Sequence, residues 1–457
     1  MNTPSGKPIA EIIGDWLVST RADALPASTV EIARKLFLDV AGLCISARHE
    51  DYIVATLGAA EPGACTAFGH EGGFDAFSAA LINGTAAHGE DYDDTFEGGP
   101  VHSGAVIVPA VLAICEREDL GGDRLLLGVA TGCELLCRLS LVTPKAIHAA
   151  GFHPTAVFGC MAAAGAVAAT LGLDREKTVS AMGIAGSMAS GIIEYLAEGT
   201  WTKRMHVGWA AQSGIRAALM ARGGFLGPRT VFEGSHGFYK AFAPSVKPDF
   251  APLLDGLGTK WLIDDIAFKP YACGTMTQPF IDCAIKLAAE GVKAEEITDI
   301  LCLVGEGTVH RLWEPLAVKH NPHTPYHAKF STPFCMAIGF LDGKAGLAQF
   351  TQDRIADPVA RMLAGKIRYE INPKDEYPKN FTGHLRATLT NGKVVELNQP
   401  FMRGGAHAPL STADVETKCI DNGVYGGWTR DKAERLRALS SHIYKASDMS
   451  ALTEFRS

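Results

Sequence analysis

One uncharged run, AVFGCMAAAGAVAATLGL from Ala156 to Leu173, limits what this chain can fold into more than any other stretch. It is long enough to cross a bilayer. Alanine and glycine dominate it, however, and the large apolar residues that drive insertion are few. Small side chains let helices approach closely, so the run is expected to be a buried helix in a helical core rather than a membrane span.

The surrounding sequence agrees. Pro26 precedes STVEIARKLFLDVAGLCISA, where Ile32, Leu36, Val40 and Leu43 recur near the helical period. AVIVPAVLAICER, DRLLLGVATGCELLCRL, REKTVSAMGIAGSMASGI and GWAAQSGIRAALMARGG follow, punctuated by Gly, Pro and Asp, with almost no alternating pattern. The pattern changes after Trp261. LIDDIAFKPY, ITDILCLVGEG, IRYEINP and HLRATLTNGKVVELN read as strands, the last with Asn391-Gly392 as a hairpin turn, and QPFIDCAIKLAAEG reads as a helix. The tail from Ser411 returns to helix. The expectation is a mainly α protein. Residues 1–262, completed by 401–457, form an all-α domain, and 263–400 form a smaller α+β lid domain.

A length of 457 residues suits two domains. A net charge of -8 argues against a nucleic-acid partner, which needs a basic surface. The stretch MNTPSGKPIAEIIGDWL has no apolar run of signal-peptide type. The 11 cysteines are scattered with no CxxC pair, as expected of free thiols in a reducing cytoplasm. No membrane association is expected.

Four places concentrate polar residues in apolar or glycine-rich sequence. Between Asn83 and Ala110, His88, Asp91, Asp93, Asp94, Thr95 and His102 lie between two apolar helical runs. Asp and Thr also favour helix caps and loops, so capping is the plain alternative for each. In GFHPTAVFG, His153 precedes Pro154 at a helix first turn, which disfavours the protonated ring and suits a neutral base. In EYLAEGTWTKRMHVGWAAQSG, Lys203, Arg204 and His206 adjoin an alanine-rich helix, where cations are costly unless they meet an anion or reach solvent. In FKPYACGTMTQPF, Lys269 follows the presumed domain boundary, and clefts between domains favour ligands.

No GxSxG elbow, P-loop or GxGxxG after a strand is present, which removes support for a serine hydrolase, an NTPase or a nicotinamide enzyme. The His88, Asp91, Asp93, Asp94 and His102 group fits no standard metal spacing, so no metal is assigned.

Taken in order, AHGEDYDDT, VHSGAVIVPA, GFHPTAVFG and GTWTKRMHVGWAAQSG resemble the MmgE/PrpD family, and the resemblance runs over nearly the whole chain, including HAKFSTPFCMAIGF near Lys329 and the tail FMRGGAHAPLSTADVETK. That family includes 2-methylcitrate dehydratase, cis-aconitate decarboxylase and iminodisuccinate epimerase. The resemblance implies a helical large domain, an α+β lid, a homodimer, no metal or organic cofactor, and a site lined by Asp91, Thr95, His102, His153, Lys203 and Lys269. Two departures stand out. Tyr271, Ala272 and Cys273 occupy the place where decarboxylase-like members carry a histidine, and the loop before His102 reads EGGPV, unlike methylcitrate dehydratases.

On this reading the substrate is a small di- or tricarboxylate that exchanges a proton at a carbon next to a carboxylate. His102 and His153 move the proton, since an imidazole with an ordinary pKa of about 6.5 works in both directions. Asp91 orients one histidine, Lys203, Lys269 and Arg204 hold carboxylates and developing charge, Thr95 adds a hydrogen bond, and His88 and Tyr271 complete the substrate contacts. The departures point to epimerisation of an iminodisuccinate-like compound. Dehydration or decarboxylation is the alternative, and a metal-dependent hydrolase or a non-catalytic carboxylate-binding dimer the more remote rival.

Overall fold

The computed structural model describes residues 6–99, 101–377 and 379–457; the first residues of the N-terminal stretch read above, and Pro100 in the loop before His102, lie outside the described residues. Two compact units emerge. The larger holds residues up to Gly89, Asp93–Ile266 and Thr412–Ser457, and the smaller holds Glu90–Tyr92 and Ala267–Ser411. The divisions thus fall after Ile266 and Ser411, where the sequence reading put them at 262 and 400, and the short excursion Glu90–Tyr92 carries no sequence signal of its own.

The larger unit is helical, and its centre is the helix Pro154–Leu171, buried at every residue but the last. It starts with proline at the first turn and ends at Gly172 in the left-handed conformation. The helices Ser103–Arg117, Gly122–Leu141, Arg175–Met188 and Thr202–Arg222 surround it. Close approach explains the small residues: a Cβ on Gly214 would stand 2.4 Å from the Cβ of Ala163. Where the helix Ala76–Gly89 meets Thr202–Arg222, a Cβ on Gly84 would stand 2.6 Å from the Cα of Gly208. The helix passes the length and composition test for a membrane span, but it is the packed interior of this unit.

The tail completes the same unit. The helix Thr412–Tyr425 lies along Ala27–Ala47. Lys418 Nζ lies 2.7 Å from Asp39 Oδ1, with both side chains buried, and Arg34 donates to Glu416 at 2.5 Å. The expected strand LIDDIAFKPY is instead a 3-10 turn, Leu262–Asp265, followed by the two-residue strand Ile266–Ala267. Side chains hold this segment in place of a ladder: Asp264 accepts from Ser28 and Thr29 at 2.6 and 2.9 Å, and Ile263 N donates to Glu134 at 2.9 Å.

The smaller unit carries a four-stranded sheet. Ile367–Ile371 pairs parallel with Ile297–Val304, which pairs antiparallel with Gly383–Leu389, which pairs antiparallel with Val394–Gln399. Gly392, with φ 81°, occupies the hairpin turn read from Asn391-Gly392, where only glycine is comfortable. Ile300, Cys302, Leu385 and Ala387 face a core shared with Phe280, Cys283 and Leu287 from the helix Gln278–Ala289, and with Met336 from the helix Thr332–Asp342. That last helix is capped by Ser331, whose hydroxyl accepts from Phe334 N at 3.2 Å. The protein is mainly α, with an α+β smaller unit.

Candidate active site

His88 lies in the last turn of the helix Ala76–Gly89, and the chain leaves the larger unit after Gly89 and returns at Asp93. His88 Nδ1 lies 2.7 Å from Asp93 Oδ2, and both side chains are fully buried. An ionised carboxylate only accepts, so Nδ1 carries the proton and Nε2 the lone pair. That Nε2 has no hydrogen-bond partner among the described residues.

His102 stands immediately before the helix Ser103–Arg117, its backbone N–H donating to Thr155 Oγ1 at 3.3 Å. Its Nδ1 lies 2.6 Å from the carbonyl oxygen of Asp94. A carbonyl cannot donate, so His102 keeps its proton on Nδ1 and exchanges protons through Nε2. Asp93 Oδ2 lies 3.4 Å from the same Nδ1. The Asp94 carboxylate accepts from the backbone N–H groups of Ser103 and Gly104 at 3.0 Å each, capping the helix from outside. Burial, and then the charge of Asp93, push the Asp94 carboxyl up to about 7.

His153 precedes Pro154, and its ring stacks on that of His88 at 5.5 Å between centroids. Its Nδ1 faces His206 Nδ1 at 3.3 Å, and Tyr195 packs on both rings at 6.5 and 5.8 Å. Burial holds His153 well below the ordinary histidine range, helped by His88, Lys203, His206 and His102. Burial, His88 and Lys203 bring His206 down to about 4. His153 is therefore neutral, as the sequence suggested, with burial as the largest cause rather than the helix end. Gly191 accepts from His153 N at 2.8 Å with φ 121°, a conformation reserved for glycine.

Lys203 is half-buried, and its charge reaches both His153 and His206. Arg204 lays its guanidinium 4.3 Å over the ring of Tyr52. Thr95 is buried in the short strand Thr95–Phe96.

In the smaller unit Asp91 adopts the left-handed conformation, φ 56°. Lys269 Nζ donates to the Asp91 carbonyl at 2.9 Å and lies 3.9 Å from its carboxylate, which accepts from Tyr326 at 3.0 Å. Lys329 donates to the Glu90 carbonyl at 3.0 Å and pairs with the Glu90 carboxylate, while Tyr92 donates to Pro270 O at 3.1 Å. Both lysines are fully buried. Tyr271 donates to Asp282 at 2.7 Å and accepts from Arg403 at 3.1 Å. Burial, and then Asp282, push its phenol up.

The structure thus brings His88, His102 and His153 together within the larger unit, and Asp91 with Lys269 within the smaller. The carboxylate that orients His88 is Asp93, whereas the sequence reading gave the orienting role to Asp91. His206, Tyr195, Lys329, Glu90 and Tyr326 were not assigned to the site. His206 sits one turn beyond Lys203 in the segment already singled out, so a histidine-to-histidine pairing was the available signal. His88, Asp93 and His102 place potential ligand atoms within 4.8 Å of one another. Distance alone would admit a divalent ion, although both rings already hold acceptors through Nδ1.

Residues 11–251 match the MmgE/PrpD N-terminal domain and residues 271–441 the MmgE/PrpD C-terminal domain. Among curated proteins, the chain is 28% identical over 426 residues to the cis-aconitate decarboxylase of Aspergillus terreus, covering 86% of this chain and 84% of that one. It is 30% identical over 444 residues to the cis-aconitate decarboxylase-like protein oryM of Aspergillus oryzae, covering 91% and 90%. To the cis-aconitate decarboxylase of Homo sapiens it is 30% identical over 390 residues, covering 82% and 78%.

Proposed function

The chain is an enzyme that belongs to the MmgE/PrpD family, and on that premise we propose that it is a lyase acting on a small di- or tricarboxylate, with decarboxylation of cis-aconitate as the first reaction to test. The relatives named above favour this reading. They give none to epimerisation of an iminodisuccinate-like compound, which the sequence departures had favoured, and that reading is set aside.

The observation that carries the chemistry is the hydrogen bond between His102 Nδ1 and the Asp94 carbonyl. It leaves Nε2 as the nitrogen that exchanges protons. Decarboxylation breaks one carbon–carbon bond to a carboxylate, and the released electron pair forms a new double bond. The displaced π pair takes a proton at the carbon next to another carboxylate. His102, as imidazolium, delivers that proton from Nε2 and returns to neutral with Nδ1–H still on Asp94. His153, held neutral, offers a hydrogen bond rather than a charge, and Lys203 supplies a cation for a carboxylate. General acid–base groups so placed contribute about 10²–10⁴-fold each.

A second reading is dehydration of a 2-methylcitrate-type substrate, which would use the same proton-exchanging Nε2 of His102. There neutral His102 takes the proton next to a carboxylate on Nε2, the C–H pair forms the new double bond, and the β-hydroxyl leaves with its bonding pair as hydroxide that is protonated to water. The proposal includes no metal or organic cofactor, a homodimer and a cytoplasmic setting.

The test is incubation with cis-aconitate and with 2-methylcitrate, followed by mass spectrometry and proton NMR, before and after dialysis against a chelator. Loss of carbon dioxide supports the first reading and loss of water the second. Activity abolished by the chelator and restored by a metal would overturn both in favour of a metal enzyme. His102→Gln with correct folding and full turnover would remove His102 from the proposal.

A further inference from the structure

We propose that Asp93 and His88 form a positioning pair for proton transfer at His102. The inference rests on the reading of His102 given above and adds two residues that need not touch substrate. One oxygen, Asp93 Oδ2, serves two rings: it accepts from His88 Nδ1 at 2.7 Å and stands 3.4 Å from His102 Nδ1. Each neighbour constrains it. His88, fully buried at the end of its helix, fixes that oxygen by a short hydrogen bond, and the His88 and His102 rings lie 4.8 Å apart.

The consequence follows from charge. Neutral His102 is adequately served by the Asp94 carbonyl, a dipole with no net charge. Once Nε2 takes a proton, the ring is a cation on a largely enclosed side chain, 13% exposed. The carboxylate that faces its Nδ1, at 3.4 Å, is Asp93, itself wholly buried. At low dielectric an anion at that distance strongly favours the protonated ring. Asp93 thus sets how readily His102 holds the proton it must exchange, and His88 sets where Asp93 stands.

Other charged or titratable groups face this centre. His153 adjoins the start of its helix. Lys203 and His206 come from Thr202–Arg222, and Asp94 precedes the Ser103–Arg117 helix. Asp39, from Ala27–Ala47, acts on Asp94 and is itself paired with Lys418. Cys133, from Gly122–Leu141, is also close, but burial pushes its thiol up and keeps it neutral. Of these carboxylates, Asp94 is pushed up by burial and Asp39 is neutralised by Lys418, so Asp93 is the one whose charge is placed on the His102 ring.

The experiment compares the wild-type protein with Asp93→Asn, His88→Asn and His88→Leu. Two readouts are used: the pH profile of turnover on cis-aconitate, and the NMR titration of His102 in histidine-labelled protein, identified by its loss in His102→Gln. Asp93→Asn is expected to lower kcat by about 10-fold or more with KM within about threefold, since the lost interaction acts on the histidine and not on the substrate. The His102 titration, and the matching limb of the kcat profile, should move to lower pH by roughly one unit. His88→Asn keeps a donor for Asp93 and should leave the His102 titration near its wild-type position, while His88→Leu should move it in the direction of Asp93→Asn. A folded Asp93→Asn protein with an unmoved His102 titration overturns the proposal. If Asp93→Asn does not fold, an unmoved titration in both His88 variants overturns it instead. Failure of the wild type to turn over any carboxylate would count against the proposed function alone, because the titration reads the pair without substrate.

Discussion

The Nδ1 atoms of His153 and His206 face each other at 3.3 Å, so one imidazole donates and the other accepts, and the pair shares a single proton between them. Unlike His102, which faces a carbonyl, His153 faces a partner that can adopt either role. Its tautomer can therefore switch without moving the ring.

Burial keeps both rings neutral, His206 down to about 4 and His153 also well below its ordinary value. Unfolded histidine titrates near 6.5, so the unfolded chain binds protons that the folded chain refuses as pH falls. The stability from these two residues is complete above about 6.5 and is lost as pH drops towards about 4. His206→Asn preserves a polar partner for His153 and removes one such site. Its thermal midpoint should fall less steeply than wild type between roughly pH 7 and 5, as followed by circular dichroism. An equally steep fall would show that His206 titrates normally.

Asp94 has the opposite sign. Its folded carboxyl lies at about 7 against a model-peptide value of 3.8. Stability from its protonated form is present below the unfolded value and is lost as pH rises through about 7. Asp94→Asn keeps one oxygen for the Ser103 and Gly104 N–H groups. The stability difference between wild type and variant should therefore shift in the variant's favour from roughly pH 4 to 7. A constant difference across that range would contradict the raised value.

The Lys329–Glu90 pair is buried on the lysine side and nearly so on the carboxylate side. Lys329→Met leaves Glu90 without its cation, a loss typically of about 3–5 kcal/mol for a buried pair. Adding Glu90→Gln should recover much of that. Urea unfolding of the two variants checks it, and a single variant as stable as wild type would show the pair to be solvent-screened.

Trp201, Met205 and Trp209 recur every fourth residue at the start of the Thr202–Arg222 helix, with 48%, 36% and 43% exposure. Under the proposed homodimer this apolar stripe is covered. Light scattering should then give twice the chain mass for wild type and a single chain mass for Trp209→Glu. A monomeric wild type would remove the dimer from the proposal.

Much of this was legible in the sequence because it depended on composition and period. The buried helix Pro154–Leu171 follows from uncharged alanine and glycine, and the hairpin from Asn391-Gly392. The histidines were visible as polar residues in apolar surroundings. What was not legible depended on distance across the fold. Asp91 and Asp93 are two residues apart and chemically identical, yet they fall in different units, one with Lys269 and the other with His88. Nothing in GEDYDDT separates them. The LIDD segment likewise carried strand-forming residues, but Ser28, Thr29 and Glu134 claimed its polar groups first.

The union of the tail with the beginning of the chain sets a clock on biosynthesis. Arg34 and Glu416 are separated by 382 residues. At a ribosomal pace of about 5–20 residues per second, the Ala27–Ala47 helix waits roughly 20–80 s for the Thr412–Tyr425 helix that covers it. Throughout that interval the nascent larger unit exposes an unfinished flank, so a chaperone that binds apolar helix surfaces has its longest opportunity there, before the last fifty or so residues emerge.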